Sequence, residues 1–306
     1  MDNAQIERYF LNIVNNDNNM SYGIAAIKTL LMVLEKTTFV TIQELINTIK
    51  SAIKVIKESG KPITSISSSC ELFMCFITIS SPKIDEMYDM EEVKKIMTNR
   101  GQSFLRKLLA SREVIAKNSV DFITDGCRIL TIGRSRVVYE ALKLAASKNK
   151  HFRVYVTMSM SSFKNENEGE MMVQDLKQLN IDASLVLDAA IGYTMESIDF
   201  VFSGAEGVME NGGIINRIGT FTAALCASEM NKPFYVLTES FKFSRIYPLN
   251  QRDIPSTYKF IQNRNGEKAN IHPLVDFTPP LFITLIFTDL GILTPSAVSD
   301  ELIKLY

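Results

Sequence analysis

Residues 199–220, DFVFSGAEGVMENGGIINRIGT, decide the reading of this chain: an apolar run of strand length, 199–202, opens directly into a glycine-rich stretch. Open α/β sheets place their ligand sites at the C-terminal ends of strands, where such a stretch would lie. Gly204, Gly207, Gly212 and Gly213 are expected to let backbone amides approach a bound group closely. Glu206 supplies a carboxylate, and Asn216 and Arg217 supply donors. That set suits a small phosphorylated or hydroxylated ligand.

Working outward, the chain from about Asp125 alternates short β-rich runs with helical ones. Strands are predicted at 128–132, 153–157, 184–187, 199–202, 234–237 and 282–287, with helices at 137–147, 171–179 and 219–230 between them. Alternation of this kind predicts parallel strands joined by right-handed crossovers. The fold class is therefore α/β: a helical domain over 1–122, then a Rossmann-like, doubly wound, mainly parallel sheet over 123–306 that carries a ligand pocket. Residues 251–276 are polar, without a period, and predict a long surface excursion. Thr294 before Pro295 predicts a capped helix at the C-terminus.

The first 122 residues repeat apolar positions at helical spacing. Ile24, Ile27, Leu31 and Leu34 form one stripe, and Leu45, Ile49, Ile53 and Ile56 another. Between them Thr41-Ile42-Gln43-Glu44 fits a capping box, which would explain Thr41 and Glu44 structurally, although a helix start also leaves both accessible to a partner. A third periodic region, 90–122, reads as one helix or as two interrupted at Gly101. It carries seven basic residues from Lys94 to Lys117 against the single acid Glu113, a surface that could attract a phosphorylated or acidic partner but is more simply a solvated helix face. The apolar run ELFMCFITIS, 71–80, is core or a partner-facing helix, with Phe73 the residue to test.

Composition narrows the function classes. With 33 basic and 34 acidic residues, the chain has no global attraction for nucleic acid, so direct nucleic-acid binding is not expected. Cys70, Cys75, Cys127 and Cys226 have neither metal-ligand spacing nor disulfide-scaffold density, and reduced thiols are the simplest reading; no metal is expected. The run 282–287 is too short to cross a bilayer, and the first nineteen residues are polar where a signal peptide would be apolar. A cytoplasmic protein is expected.

The turn after the first strand, Thr131-Ile132-Gly133-Arg134-Ser135-Arg136, is a second candidate seat. Ser135 as a cap, the amides of the turn and a helix start favour a phosphate, with Arg134 or Arg136 adding charge. A routine strand-to-helix turn explains the same residues equally well. Asn216, in a glycine-rich run, serves backbone turns more often than ligands, and Lys242 in SFKFSR has an exposed-lysine explanation.

GAEGVMENGGIINRIGT resembles the signature of the alpha regulatory subunits of eukaryotic translation initiation factor 2B, a family that also contains methylthioribose-phosphate and ribose-bisphosphate isomerases. NKPFYVLTESFKFSRIYPLNQRDIP, 231–255, and LFITLIFTDLGILTPSAVSDELIKLY, 281–306, extend the resemblance, which starts near Ala25. It implies a sugar phosphate or nucleoside monophosphate held by Gly133, Arg134, Ser135, Glu206, Gly207, Asn216, Arg217 and Lys242. It also implies a homodimer bridging the beta, gamma, delta and epsilon subunits of a guanine nucleotide exchange complex. The helical domain would take part in recognising the phosphorylated alpha subunit of initiation factor 2.

By that resemblance the isomerases' catalytic cysteine aligns with Gly133, their aspartate with Glu206 and a lysine with Arg217. Glycine cannot move a proton, and arginine stays protonated. A non-catalytic subunit is therefore expected. The alternatives are an active aldose-ketose isomerase on a pentose phosphate and a stand-alone metabolite-binding protein.

Overall fold

In the computed structural model, residues 2–17, 20–61, 63–78, 90–159, 167–260 and 272–305 are described. Packing divides the chain into two units, one of residues up to Ala110 and one starting at Ser111. The division falls inside the helix Met90–Ser119.

The first unit consists of helices Asn3–Asn16, Tyr22–Lys36, Ile42–Lys57, Ile63–Thr78 and the first two thirds of Met90–Ser119. Tyr22–Lys36 starts at Ser21, whose hydroxyl accepts the Ile24 amide (3.2 Å), and Ile24, Ile27, Leu31 and Leu34 of its predicted stripe are all buried. Ile42–Lys57 buries Leu45, Ile49, Ala52 and Ile56. The long helix is continuous through Gly101, where a Cβ would lie 2.5 Å from Leu31 Cδ2; glycine here serves close packing and not interruption. Val93, Met97, Phe104, Leu108 and Ile115 form its buried side.

The second unit is built on a seven-stranded sheet ordered β11-β10-β7-β4-β1-β2-β3. Its members are β1 (Arg128–Thr131), β2 (Arg153–Thr157), β3 (Asp182–Val186), β4 (Phe200–Ser203), β7 (Phe234–Leu237), β10 (Leu285–Thr288) and β11 (Gly291–Leu293). Every neighbouring pair is parallel except β10 with β11. The chain runs outward from β1 through β2 to β3, then returns to β4 on the other side and continues to β7 and β10. That is the Rossmann order, and its crevice lies past the C-terminal ends of β1 and β4. Helices Arg136–Ser147 and Glu168–Gln178 bury Val137, Val138, Leu142, Met172 and Leu176 in one core with Ile129, Val154, Phe202 and Phe287. Phe122, Tyr235 and Phe287 meet edge to face within it.

A second sheet, ordered β8-β5-β6-β9, was not foreseen: β5 (Gly207–Met209), β6 (Ile214–Arg217), β8 (Phe243–Ser244) and β9 (Val275–Thr278). The glycine-rich stretch is therefore not a flexible ligand loop but a β-hairpin. Gly212 supplies the left-handed residue (φ 81°) that closes a three-residue turn, and the Met209 amide donates to the Gly213 carbonyl (2.8 Å). Gly212 also abuts the Pro295 carbonyl, and Gly207 is a buried strand residue paired with Ile215. Likewise Asp276, counted by sequence with a surface excursion, lies in β9; residues 261–271 of that excursion are outside the described residues. Thr294 does not cap the last helix: its hydroxyl meets that of Ser296 (3.0 Å), and a turn Pro295–Ala297 precedes Val298–Leu305. Among the described residues no helix is long and apolar enough to cross a membrane.

Candidate functional site

Two loops leave the sheet side by side at the crevice. After β1 the chain turns at Gly133 in the left-handed region (φ 54°), and its amide donates to Thr157 Oγ1 of β2 (3.1 Å). A Cβ at Gly133 would stand 2.8 Å from Ser159 Cβ and 2.9 Å from Ser159 Oγ, closer than side-chain atoms approach. Ser159 is itself left-handed (φ 44°), pinned through its amide by both carboxylate oxygens of Asp188 (3.1 Å each). Ser135 caps helix Arg136–Ser147, accepting from the Val138 amide (3.4 Å). Arg134 faces Asp175 on helix Glu168–Gln178, its Nε donating at 2.8 Å.

After β4 the second loop, Gly204-Ala205-Glu206, comes so near that a Cβ on Gly204 would meet Ser135 Oγ at 2.5 Å. The Glu206 amide donates to the Ile215 carbonyl (2.9 Å), which hands the chain into the hairpin. One Glu206 oxygen lies 3.4 Å from Arg217 Nε, and Arg217 Nη2 donates to Glu168 Oε1 (2.5 Å). The guanidinium is thus bracketed by two carboxylates, each side chain about a quarter exposed or less.

Asn216 is buried, and its amide donates to Ser203 Oγ (3.3 Å) and Thr220 Oγ1 (3.0 Å), tying β6 to β4 and to helix Thr220–Glu229. Lys242 is not a surface lysine: it donates to the Ala205 carbonyl (2.8 Å) and pairs with Glu239 (2.7 Å). Glu239 also accepts from Arg112 Nε (3.1 Å). Burial by itself raises the Glu239 carboxyl, but Lys242 and Arg112 outweigh it and hold it at about 2.

The crevice therefore assembles Gly133, Ser135, Glu206, Arg217 and Lys242, whereas Arg134 is engaged by Asp175, Asn216 by internal hydrogen bonds and Gly207 by the hairpin. Sequence reasoning missed Glu168, Ser159, Glu239 and Asp276. Asp276 alone carried a signal, a lone acid inside the apolar run LVDF. Cys127 is buried with its thiol pushed up by desolvation, and Cys70 is pushed up to about 12 for the same reason, so both are inert. Among the described residues no group of His, Cys, Asp and Glu is arranged to hold a metal.

In the helical unit, Thr41 Oγ1 accepts the Glu44 amide (3.2 Å), while the Glu44 carboxylate accepts from Val40 (3.0 Å) and not from Thr41, a variant of the expected box. Phe73, read as a partner-facing residue, is fully buried against Phe104 and Gly101 and is a core residue.

The initiation factor 2 subunit family matches residues 15–295, through both units. The chain belongs to that family. A curated member, the translation initiation factor eIF2B subunit alpha of Caenorhabditis elegans, is 37% identical over 296 residues, covering 96% of this chain and 95% of that protein. The ribose 1,5-bisphosphate isomerase of Methanocaldococcus jannaschii is 29% identical over 211 residues, 67% of each chain. In fold, this family member matches a chain of the tetrameric eIF2B-beta2-delta2 complex from C. thermophilum with a TM-score of 0.79, covering 100% of this chain and 96% of that one at 17% identity. The relatives of this chain include both a translation factor subunit and an isomerase, and the residues of the crevice bear on which of them it resembles in chemistry.

Proposed function

We propose that the chain is a non-catalytic alpha-type regulatory subunit of the initiation factor 2B guanine nucleotide exchange complex, working in the cytoplasm. In this reading it forms a homodimer that bridges the beta, gamma, delta and epsilon subunits. Its helical unit, with Thr41 and Glu44 at an accessible helix start, contributes to sensing the phosphorylated alpha subunit of initiation factor 2. The crevice is retained as a binding site for a sugar phosphate or nucleoside monophosphate, lined by Gly133, Ser135, Glu206, Arg217 and Lys242.

The observation that carries the non-catalytic reading is Gly133. Its left-handed backbone and its contact with Ser159 leave no space for a thiol-bearing side chain at the mouth of β1. Arg217, fixed between Glu168 and Glu206, binds anions but cannot act as a base. Whole-length identity to an alpha subunit supports the partner assignment. Purification of the tagged chain from its own cells at native abundance tests it. Recovery with the other four subunits, together with a dimeric mass for the isolated chain, is expected; recovery as a free protein without them would overturn the scaffold role.

A further inference from the structure

We infer that Glu239 is a positioning residue of the crevice: through the Lys242 ammonium it fixes the peptide between Ala205 and Glu206, and so holds the Glu206 carboxylate where a ligand's hydroxyls can reach it. The inference rests on the ligand-pocket reading above and adds to it a residue that acts from behind the ligand.

Glu239 lies in the loop after β7, and β7 is the parallel neighbour of β4, so the loops that follow these two strands leave the sheet together. The backbone after Glu239 is held in turn by Asp289, whose carboxylate accepts the Ser240 amide (2.7 Å) and the Ser240 hydroxyl (2.8 Å). Glu239 itself is 1% exposed, and its two oxygens are divided between two cations. Oε1 faces Arg112 Nε (3.1 Å) and Oε2 faces Lys242 Nζ (2.7 Å). A lysine ammonium sits on a flexible four-carbon stem and has no fixed direction of its own. Paired with Glu239, it is aimed at the Ala205 carbonyl (2.8 Å).

That carbonyl shares a planar peptide unit with the Glu206 amide, which donates to the Ile215 carbonyl (2.9 Å). The peptide is thus held at both ends, by β6 on one side and by Lys242 on the other. Gly204, one residue earlier, is packed so closely on Ser135 that it has no room to take up a shift. On this fixed backbone one Glu206 oxygen stands 3.4 Å from Arg217 Nε. Without the Glu239 charge the ammonium loses its anchor, and the peptide loses the hold on its carbonyl end.

Native-state hydrogen exchange of the ligand-free chain tests this at the Glu206 amide. The Gly133 amide, bonded to Thr157 Oγ1 in the other crevice loop, is the control. Glu239→Gln is expected to speed exchange at Glu206 about tenfold relative to Gly133. Equal acceleration at both amides, or none at Glu206, means that Glu239 serves only the stability of the fold and overturns the inference. Should Glu239→Gln fail to fold, Lys242→Met, which removes the ammonium and leaves Glu239 beside Arg112, carries the same comparison with the same outcomes. Calorimetric titration of ribose 5-phosphate then asks whether the positioning serves a ligand. Affinity is expected to fall about tenfold in Glu239→Gln, and the same change is expected to have no further effect in a Glu206→Gln background, since both act through one carboxylate. A loss that persists undiminished in that background overturns the inference. If ribose 5-phosphate does not bind the wild-type chain, the pocket reading above fails, and the exchange comparison alone decides whether Glu239 positions Glu206.

Discussion

Glu239 is a fully buried carboxylate compensated by two cations, Arg112 and Lys242, and Lys242 also holds the carbonyl that precedes Glu206. Removing the charge takes the Glu239 counter-charge from two partly buried cations, so Glu239→Gln is expected to cost about 3 kcal/mol in urea unfolding at neutral pH. A loss below about 1 kcal/mol would mean that the cluster contributes nothing net. Because the Glu239 carboxyl is held at about 2, its contribution is present above the ordinary carboxylate range and is lost as pH falls toward 2. The strand end preceding Glu239 was legible in the sequence. Its pairing with Arg112, 127 positions away, was not, because nothing local to either residue marks the other. Gly133 is the opposite case: the missing side chain was visible at once, but the reason it stays missing, Ser159 pinned by Asp188, exists only in three dimensions.

At the level of elements, β9 anchors helix Thr220–Glu229 from a distance. That helix begins at Gly219, which has no side chain to cap it, and Asp276 Oδ2 accepts the Gly219 (2.7 Å) and Phe221 (3.1 Å) amides instead. Asp276 faces Asn216 across the β6–β9 pair, so one carboxylate joins the second sheet, the helix and the strand that leads to Arg217. Burial pushes this carboxyl up to about 7 against the pull of the amides. The folded protein therefore keeps a proton that the unfolded chain releases near pH 4, and stability falls as pH rises between about 4 and 7, by at most about 1.4 kcal/mol per pH unit from this group, then levels off. Asp276→Asn is expected to remove that slope from urea midpoints measured at pH 5, 6, 7 and 8; parallel profiles for the two proteins would refute it. The main strands were readable because buried parallel strands are continuous apolar runs such as FVF and FYVL. The short strands β5, β6 and β9 were not, since each is only three or four residues long and carries a glycine, asparagine or aspartate that strands disfavour, and their pairing with one another supplies the order that local propensity lacks.

For the molecule as a whole, the alternation of strand and helix was enough to predict a doubly wound sheet, and the crevice lies where that topology puts it, past β1 and β4. What topology does not reveal is the chemistry there, which depends on Glu168 and Glu206 closing on Arg217 and on a glycine that no side chain can replace without displacing Ser159. The central claim is that this architecture persists to bind and assemble, not to transform a sugar. The most direct test is an assay of aldose-ketose conversion by the purified chain alone, with ribose 1,5-bisphosphate and with methylthioribose phosphate. No conversion above the protein-free blank is the expected result, whereas turnover of either substrate that disappears in Glu206→Ala would contradict the account.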